Sequence, residues 1–243
     1  MNDTLISNHN QLKHHGLTVL RSVFDTPSIQ EARTQVLKNQ HLFKNTRPTK
    51  SSSHLAGFHR FPTLESLHIM LTSNPIINDF IALLLNSHPA RSIGLSDITI
   101  NRSQHWHTDL LRGKYAHFIE EDLSWNQDAN VVYKVLLYLQ DGASLKYIQG
   151  SHLNPISLEN DYCSEPNEDD IVMPVTVFAG DVVIMDIRCS HRGADETLYA
   201  SGNWDNDPRI LISTVLGGLN CPLATAMEVG NFHRLQDWMK RFP

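Results

Sequence analysis

Cysteine is scarce in this chain, and its three copies, Cys163, Cys189 and Cys221, form no CxxC pair. An odd, scattered set provides neither a disulfide framework nor a zinc-finger spacing, and reads as the reduced thiols of a cytoplasmic protein. Long apolar runs are missing too. The most apolar, Phe80 to Leu85, falls far short of the ~20 residues that a membrane-crossing helix needs. Met1 to His15 is polar and lacks the apolar stretch of a secretory leader. There is no excess of basic charge, since the net charge at pH 7 is −6. That argues against a general nucleic-acid binder, whose electrostatic footprint is basic. Internal repeats and low-complexity segments are also absent.

What is present suits one enzyme-sized domain. The 243 residues are 41% hydrophobic, enough to build a real core in a single domain over 1–243. The 14 histidines favour a metal site without placing it. Residues 1–91 read as mainly helical. Thr26-Pro27 offers an N-cap followed by proline at the first helical position, and Ile29, Ala32, Val36 and Leu37 recur at helical spacing. Leu64, Leu67, His68 and Leu71 mark a second helix. Asn74-Pro75 opens a third, with Ile77, Phe80, Ile81 and Leu84 on one face. Residues 39–62 are rich in Lys, Ser, Thr and His and read as a loop.

From about Ser92 short β-branched and aromatic runs alternate with turn signals. The runs are Ile98–Trp106, Val131–Leu139, Leu145–Ile148, Val172–Phe178, Val182–Asp186 and Arg209–Leu216. Asp141-Gly142 and Ala179-Gly180-Asp181 have the composition of tight hairpin turns. Short antiparallel strands in this rhythm predict a barrel or double-sheet jelly roll over 92–218. Residues 219–243 predict a closing helix, Leu223 to Arg241.

The segment His105-Trp106-His107-Thr108-Asp109 carries the most chemistry. On a strand alternate residues share a face, so His107 and Asp109 would point the same way, about 7 Å apart. Two imidazoles and one carboxylate on one face of a metal leave open positions for a bidentate cosubstrate and O₂, as in iron(II) oxygenases. His191, in Cys189-Ser190-His191-Arg192-Gly193, is the candidate third ligand. His105 rivals His107 by parity, and His117 and His152 rival His191. Arg209 opens an apolar strand and shares a face with Ser213, so a guanidinium fork and a hydroxyl could hold a distal carboxylate. The competing reading pairs Arg209 with Asp205 or Asp207. Lys134 sits inside Val131-Val132-Tyr133-Lys134-Val135-Leu136-Leu137, where an ammonium needs an anion. That anion is a cosubstrate carboxylate or an acidic side chain, unless the strand's outer face is wet.

The ordered set His107-x-Asp109, Gly150-Ser151-His152, His191-Arg192-Gly193 and Arg209 to Ser213 resembles the phytanoyl-CoA dioxygenase family over roughly Ile98 to Gly217. His15-Gly16-Leu17-Thr18-Val19-Leu20 is similar to that family's opening. The resemblance implies a mainly β fold with flanking helices around a double-stranded β-helix, the cupin-like jelly roll. It implies iron(II), 2-oxoglutarate as cosubstrate and O₂. It makes His107, Asp109 and His191 the iron ligands and Arg209 the cosubstrate's anchor, with Ser213 and Lys134 as further cosubstrate contacts. The chain departs from the family's pattern in three places. The usual Asn-Gly turn is Asp141-Gly142, Gln149 replaces a proline before Gly150-Ser151-His152, and Glu196 to Asp207 reads as an insertion. These departures bear on the loops and the substrate.

The expected activity is oxidation, such as hydroxylation, of a small molecule in secondary or amino-acid metabolism. Three rivals stand beside it: a non-catalytic cupin-like binder, an acyl-CoA hydroxylase, and an oxygenase acting on alkylated nucleic acid. Neither nucleic acid nor membrane is expected as a partner. Residues 159–170 hold six acids, Glu159, Asp161, Glu165, Glu168, Asp169 and Asp170. A second acidic stretch is Asp205 to Asp207; if both border the site, their field attracts cations and implies a positively charged substrate under a mobile lid, while the alternative reading is an ordinary solvated surface loop.

Overall fold

In the computed structural model the described residues are 3–45, 52–125, 132–154, 165–195 and 207–242. Among the described residues four α-helices lie in the early part: α1 (Asp3–His15), α2 (Thr26–Lys38), α3 (Glu65–Thr72) and α4 (Pro75–Leu84). Local chemistry sets their starts. Asn74 accepts from the amides of Ile76 and Ile77, with Pro75 at the first position of α4. At α2 the cap is Asp25, whose carboxylate accepts from Ser28 N at 3.0 Å. The expected cap, Thr26, is instead the first helical residue.

Strands are interleaved with these helices, so the first 91 residues are less helical than expected. The strands are β1 (Leu17–Leu20), β2 (Ser53–Ala56), β3 (Ala90–Ser92), β4 (Asp97–Ile100), β5 (Val132–Tyr138), β6 (Gly142–Ile148), β7 (Val172–Val177), β8 (Val182–Asp186), β9 (His191–Arg192) and β10 (Ile210–Gly218). Strand β2 lies inside the segment expected to be loop. Seven strands make one antiparallel sheet in the order β1-β8-β5-β10-β4-β2, with β3 also on β10. The other three make a second sheet, β7-β6-β9. The helix Pro222–Arg241 closes the chain, as expected.

The two turn signals hold a surprise. Asp141-Gly142 joins β5 to β6, and Ala179-Gly180-Asp181 joins β7 to β8, yet neither pair of strands bonds to itself. Both turns carry the chain from one sheet to the other. Turn composition marks a reversal of direction, and leaves the choice of bonding partner to the rest of the fold. Gly180 has φ 98°, and a Cβ there would meet Phe24 O at 2.2 Å, so only glycine fits.

Alternation along the strands builds two layers. One face of the large sheet, with Ile98, Ile100, Val135, Leu137, Ile184, Ile210 and Ile212, packs on the helices through Val36, Leu71, Ile77, Phe80 and Ile81. Each such side chain, fully buried, contributes roughly 1.5–3 kcal/mol. The other face, with Leu136, Tyr138, Val183 and Met185, meets Leu145, Tyr147, Val175 and Val177 of the small sheet. No single helix among the described residues is long and apolar enough to cross a membrane. Helices α3 and α4 would pass only as a pair bent by 51°, and their apolar faces lie in the core.

Candidate functional site

The site begins where β4 ends. The expected strand Ile98–Trp106 stops at Ile100, because Asn101 turns left-handed, at φ 49°, a conformation asparagine tolerates. His107 and Asp109 therefore lie on a loop beyond the strand, and their common direction has another cause. The loop is bonded to the segment after β8. His107 N donates to His191 O, and His191 N to His107 O, both at 2.9 Å; Asp109 N donates to Ile187 O at 3.1 Å.

That second segment is itself held firmly. Arg188 donates to Asp186 through Nε at 2.8 Å and Nη2 at 2.7 Å, both side chains being buried. Ser151 Oγ accepts from Ser190 N at 2.9 Å and donates to Ile148 O at 2.7 Å. His191 then pairs with Tyr147 in the small sheet. The Gly150-Ser151-His152 turn thus props up the turn that presents His191.

The two imidazoles are oriented by their own backbones. His107 Nδ1 lies 2.8 Å from His105 O, and His191 Nδ1 lies 3.0 Å from Cys189 O. A carbonyl only accepts, so each Nδ1 carries the hydrogen and each Nε2 offers a lone pair. Both lone pairs face one carboxylate: His107 Nε2 is 3.8 Å from Asp109 Oδ1, and His191 Nε2 is 3.6 Å from Asp109 Oδ2. The ligand atoms of all three lie within 4.8 Å of one another. His107 Nε2 is buried without a hydrogen-bond partner.

Electrostatics match the geometry. Burial, then His191 and Arg112, hold His107 well below the usual imidazole range, and burial lowers His191 as well. Both shifts favour the neutral ring. Burial pushes Asp109 up, but Lys134, the two histidines and Arg112 together hold it below the ordinary carboxylate range. Two neutral nitrogens and one carboxylate fit a divalent first-row metal ion.

The rival histidines lie elsewhere. His105 and His117 are exposed, with the His117 ring tilted against Phe118 at 4.1 Å between centroids. His152 is buried and its Nε2 bonds Lys13 O at 3.0 Å.

A cavity of about 280 Å³ opens beside the cluster, lined by Asp109 and His191 and by Lys134, Gln140, Ser144, Arg209 and Ser213. Lys134 has an acidic partner, Asp109 Oδ2 at 3.5 Å, so the side-chain anion considered for it is the carboxylate of the cluster itself. Arg209 is fixed at both ends. Its N–H donates to Asn101 Oδ1 at 2.8 Å, and Nη2 donates to Ser144 Oγ at 3.0 Å. Gly142 makes room for the guanidinium, since a Cβ there would lie 2.5 Å from Nη2. Asp207, one alternative partner for Arg209, pairs with Arg33 at 2.6 Å; Asp205, with Glu196 to Asn206, lies outside the described residues. Ser213 Oγ donates to Asp97 O at 3.2 Å.

Four cavity residues were not singled out by the sequence. Arg234, from the C-terminal helix, donates to both oxygens of Asp97, at 3.1 and 2.9 Å. His54 Nε2 lies 3.3 Å from Asp97. Gln140 closes the set. Its position was legible only by extending the parity of Lys134, Leu136 and Tyr138 by one step.

Among the described residues no acid of the 159–170 run lines the cavity. Residues 159–164 lie outside the described residues, and Glu165, Glu168 and Asp169 are exposed without lining the cavity. Among the described residues the wall carries Arg102, Arg112, Lys134, Arg209 and Arg234 against Asp97 and Asp109. Such a wall gives no support for a cationic ligand.

No protein-family model matches the chain, and no curated protein matches it. Solved structures do. One is the epimerase SnoN, in complex with Fe3+, alpha ketoglutarate and nogalamycin RO (16% identity, TM-score 0.67, 88% of this chain and 83% of that one). The non-heme alpha ketoglutarate dependent carbocyclase SnoK, from nogalamycin biosynthesis, is similar at 18% identity and TM-score 0.63, over 90% of this chain and 84% of that one. HygX from Streptomyces hygroscopicus, with nickel, 2-oxoglutarate and hygromycin B bound, is similar at 15% identity and TM-score 0.58, over 90% and 88%. These likenesses settle the architecture: the chain has a mainly antiparallel, cupin-like jelly-roll fold with flanking helices.

Proposed function

We propose that the protein is an iron(II)- and 2-oxoglutarate-dependent oxygenase acting on a small molecule, with His107, Asp109 and His191 as iron ligands. One observation carries the reading: two imidazoles whose Nδ1 atoms are tied to backbone carbonyls turn both Nε2 atoms on the Asp109 carboxylate, at the wall of a cavity. The ions and keto acid bound by SnoN and HygX agree with it. When bound, iron(II) and 2-oxoglutarate would supply O₂ activation coupled to decarboxylation of the keto acid to succinate.

The chain's own residues do the holding and shielding. Lys134 neutralises Asp109 from the cavity side, which keeps the carboxylate ionised for a cation. Arg209, aimed by Asn101 and Ser144, would hold the distal carboxylate of 2-oxoglutarate. Ser213 adds a polar patch to the same wall. Leu136, Tyr138 and Leu145 keep the floor apolar and limit water. The outcome at the substrate carbon, whether hydroxylation, epimerisation or ring closure, depends on how the substrate sits. The likeness to SnoN and SnoK, both from nogalamycin biosynthesis, supports a role in small-molecule biosynthesis for this chain.

The test is anaerobic loading with iron(II), followed by 2-oxoglutarate and air. Succinate should form, and its yield should rise when a panel of small metabolites contains the substrate. His107→Ala, Asp109→Ala and His191→Ala should each lose bound iron and succinate formation while melting like the parent; His105→Ala should keep both. Full iron occupancy and turnover in His107→Ala or His191→Ala would remove the assignment. Iron binding with no 2-oxoglutarate consumption would favour the non-catalytic binder.

A further inference from the structure

One buried donor on the cavity wall has no partner in the fold. Gln140 lines the cavity and continues the alternate spacing of Lys134, Leu136 and Tyr138 along β5. The β5–β10 register pairs Tyr138 with Leu211, and one further step of that alternation sets Gln140 opposite Arg209. Its carboxamide cannot turn freely, because Oε1 accepts from Ile210 N at 2.7 Å. The amide nitrogen has no lone pair for that N–H, so the orientation is fixed. Nε2 is left as the other end, buried and without a hydrogen-bond partner. Buried donors are nearly always satisfied, so this one is available to an acceptor on a ligand in the cavity.

The donor suggested by the sequence, Ser213, is engaged differently. Its single hydroxyl hydrogen is directed at Asp97 O, away from any carboxylate in the cavity. Arg209 already spends one N–H on Ser144. A carboxylate beside Arg209 therefore has a further acceptor site to fill, and the amide of Gln140 lies just past the end of β5, across from Arg209.

We propose, building on the functional reading above, that Gln140 Nε2 is a second donor, with Arg209, to the distal carboxylate of 2-oxoglutarate. The pair then selects a keto diacid over a keto monoacid, because only the diacid satisfies both groups.

The experiment compares the dissociation constants of 2-oxoglutarate and 2-oxobutyrate, which lacks the distal carboxylate, for the nickel-loaded protein by calorimetry. Gln140→Glu keeps the acceptor for Ile210 N and replaces the donor with an anion. It should weaken 2-oxoglutarate about tenfold or more, the scale of a hydrogen bond to a charged group, and leave 2-oxobutyrate unchanged. Gln140→Leu should shift the same ratio in the same direction. Unchanged 2-oxoglutarate binding, or an equal loss for both acids, overturns the proposal, the latter by making Gln140 structural. Parent protein that binds nickel but no 2-oxoglutarate overturns the functional reading, and this inference with it.

Discussion

Gly142→Ala isolates the placement of Arg209 from the stability of the fold. A Cβ on Gly142 would lie 2.5 Å from Arg209 Nη2, 3.0 Å from Nη1 and 3.2 Å from Cζ. Carbon and nitrogen rest at about 3.5 Å or more, so the guanidinium must retreat by about 1 Å. The obstacle is the far end of a flexible side chain, and Gly142 has no positive φ, so the backbone accepts alanine. Removing glycine's freedom from the unfolded chain even adds up to about 0.4–1 kcal/mol. The displaced guanidinium gives up its bond to Ser144 and its aim into the cavity. A hydrogen bond between charged groups is worth roughly 1.5–3 kcal/mol, which is a roughly ten- to hundredfold weaker dissociation constant for 2-oxoglutarate. Calorimetry on metal-loaded protein measures the affinity, and a thermal melt measures the fold. Gly142→Ala should melt at or above the parent temperature while binding the keto acid far less tightly. In the double variant with Arg209→Ala the two losses should not add, because both remove one contact. Parental affinity in Gly142→Ala, or additive losses, would refute the role given to Arg209.

Ser151→Ala should lower iron affinity about tenfold, the usual effect of removing an outer-shell support, because Ser190 N loses its acceptor next to His191. Ser151→Thr should restore it, and a loss of stability with iron affinity intact would make Ser151 structural only. Acid should destabilise the protein through His54, whose pKa is pushed down to about 4 by burial, offset in part by Asp97. The unfolded imidazole takes a proton near 6.5, so this stabilisation is complete above that pH and is lost as pH falls from 6.5 toward 4, on the order of 3 kcal/mol. Urea midpoints at pH 7 and pH 4.5 should diverge less in His54→Gln than in the parent, and an equal divergence would place the acid sensitivity elsewhere.

Sequence legibility followed the range of the interactions. Strands β5, β8 and β10 are written in continuous apolar runs, and α4 in its cap and apolar face, because each depends on near neighbours. Strand β2 was not legible. Ser53-His54-Leu55-Ala56 has little apolar periodicity, and becomes a strand by bonding to β4 while Leu55 reaches the core. The metal-binding residue types were readable in His107, Asp109 and His191, but the expected reason for their convergence was not the one observed. A strand was to align the first two; a left-handed Asn101 and a bridge to the His191 segment do it instead. Asp97, His54 and Arg234 meet across long separations in the chain, and nothing local announces such meetings. Of the acidic run 159–170, the described acids Glu165, Glu168 and Asp169 are exposed and do not line the cavity, a placement that composition alone does not announce.

The reciprocal bonds between His107 and His191 have a consequence for metal choice. The nitrogens are spaced by the main chain and turned by their own carbonyls, so an arriving ion orders almost nothing and meets a site already shaped. Such a site cannot reshape itself to refuse a competitor. Affinities of nitrogen and oxygen ligands rise from iron(II) through cobalt and nickel to copper, and this arrangement has no thiolate or extra ligand with which to reverse the order. At equal concentrations nickel or copper would displace iron here, so the identity of the occupant is decided by the supply of metal around the protein when it folds.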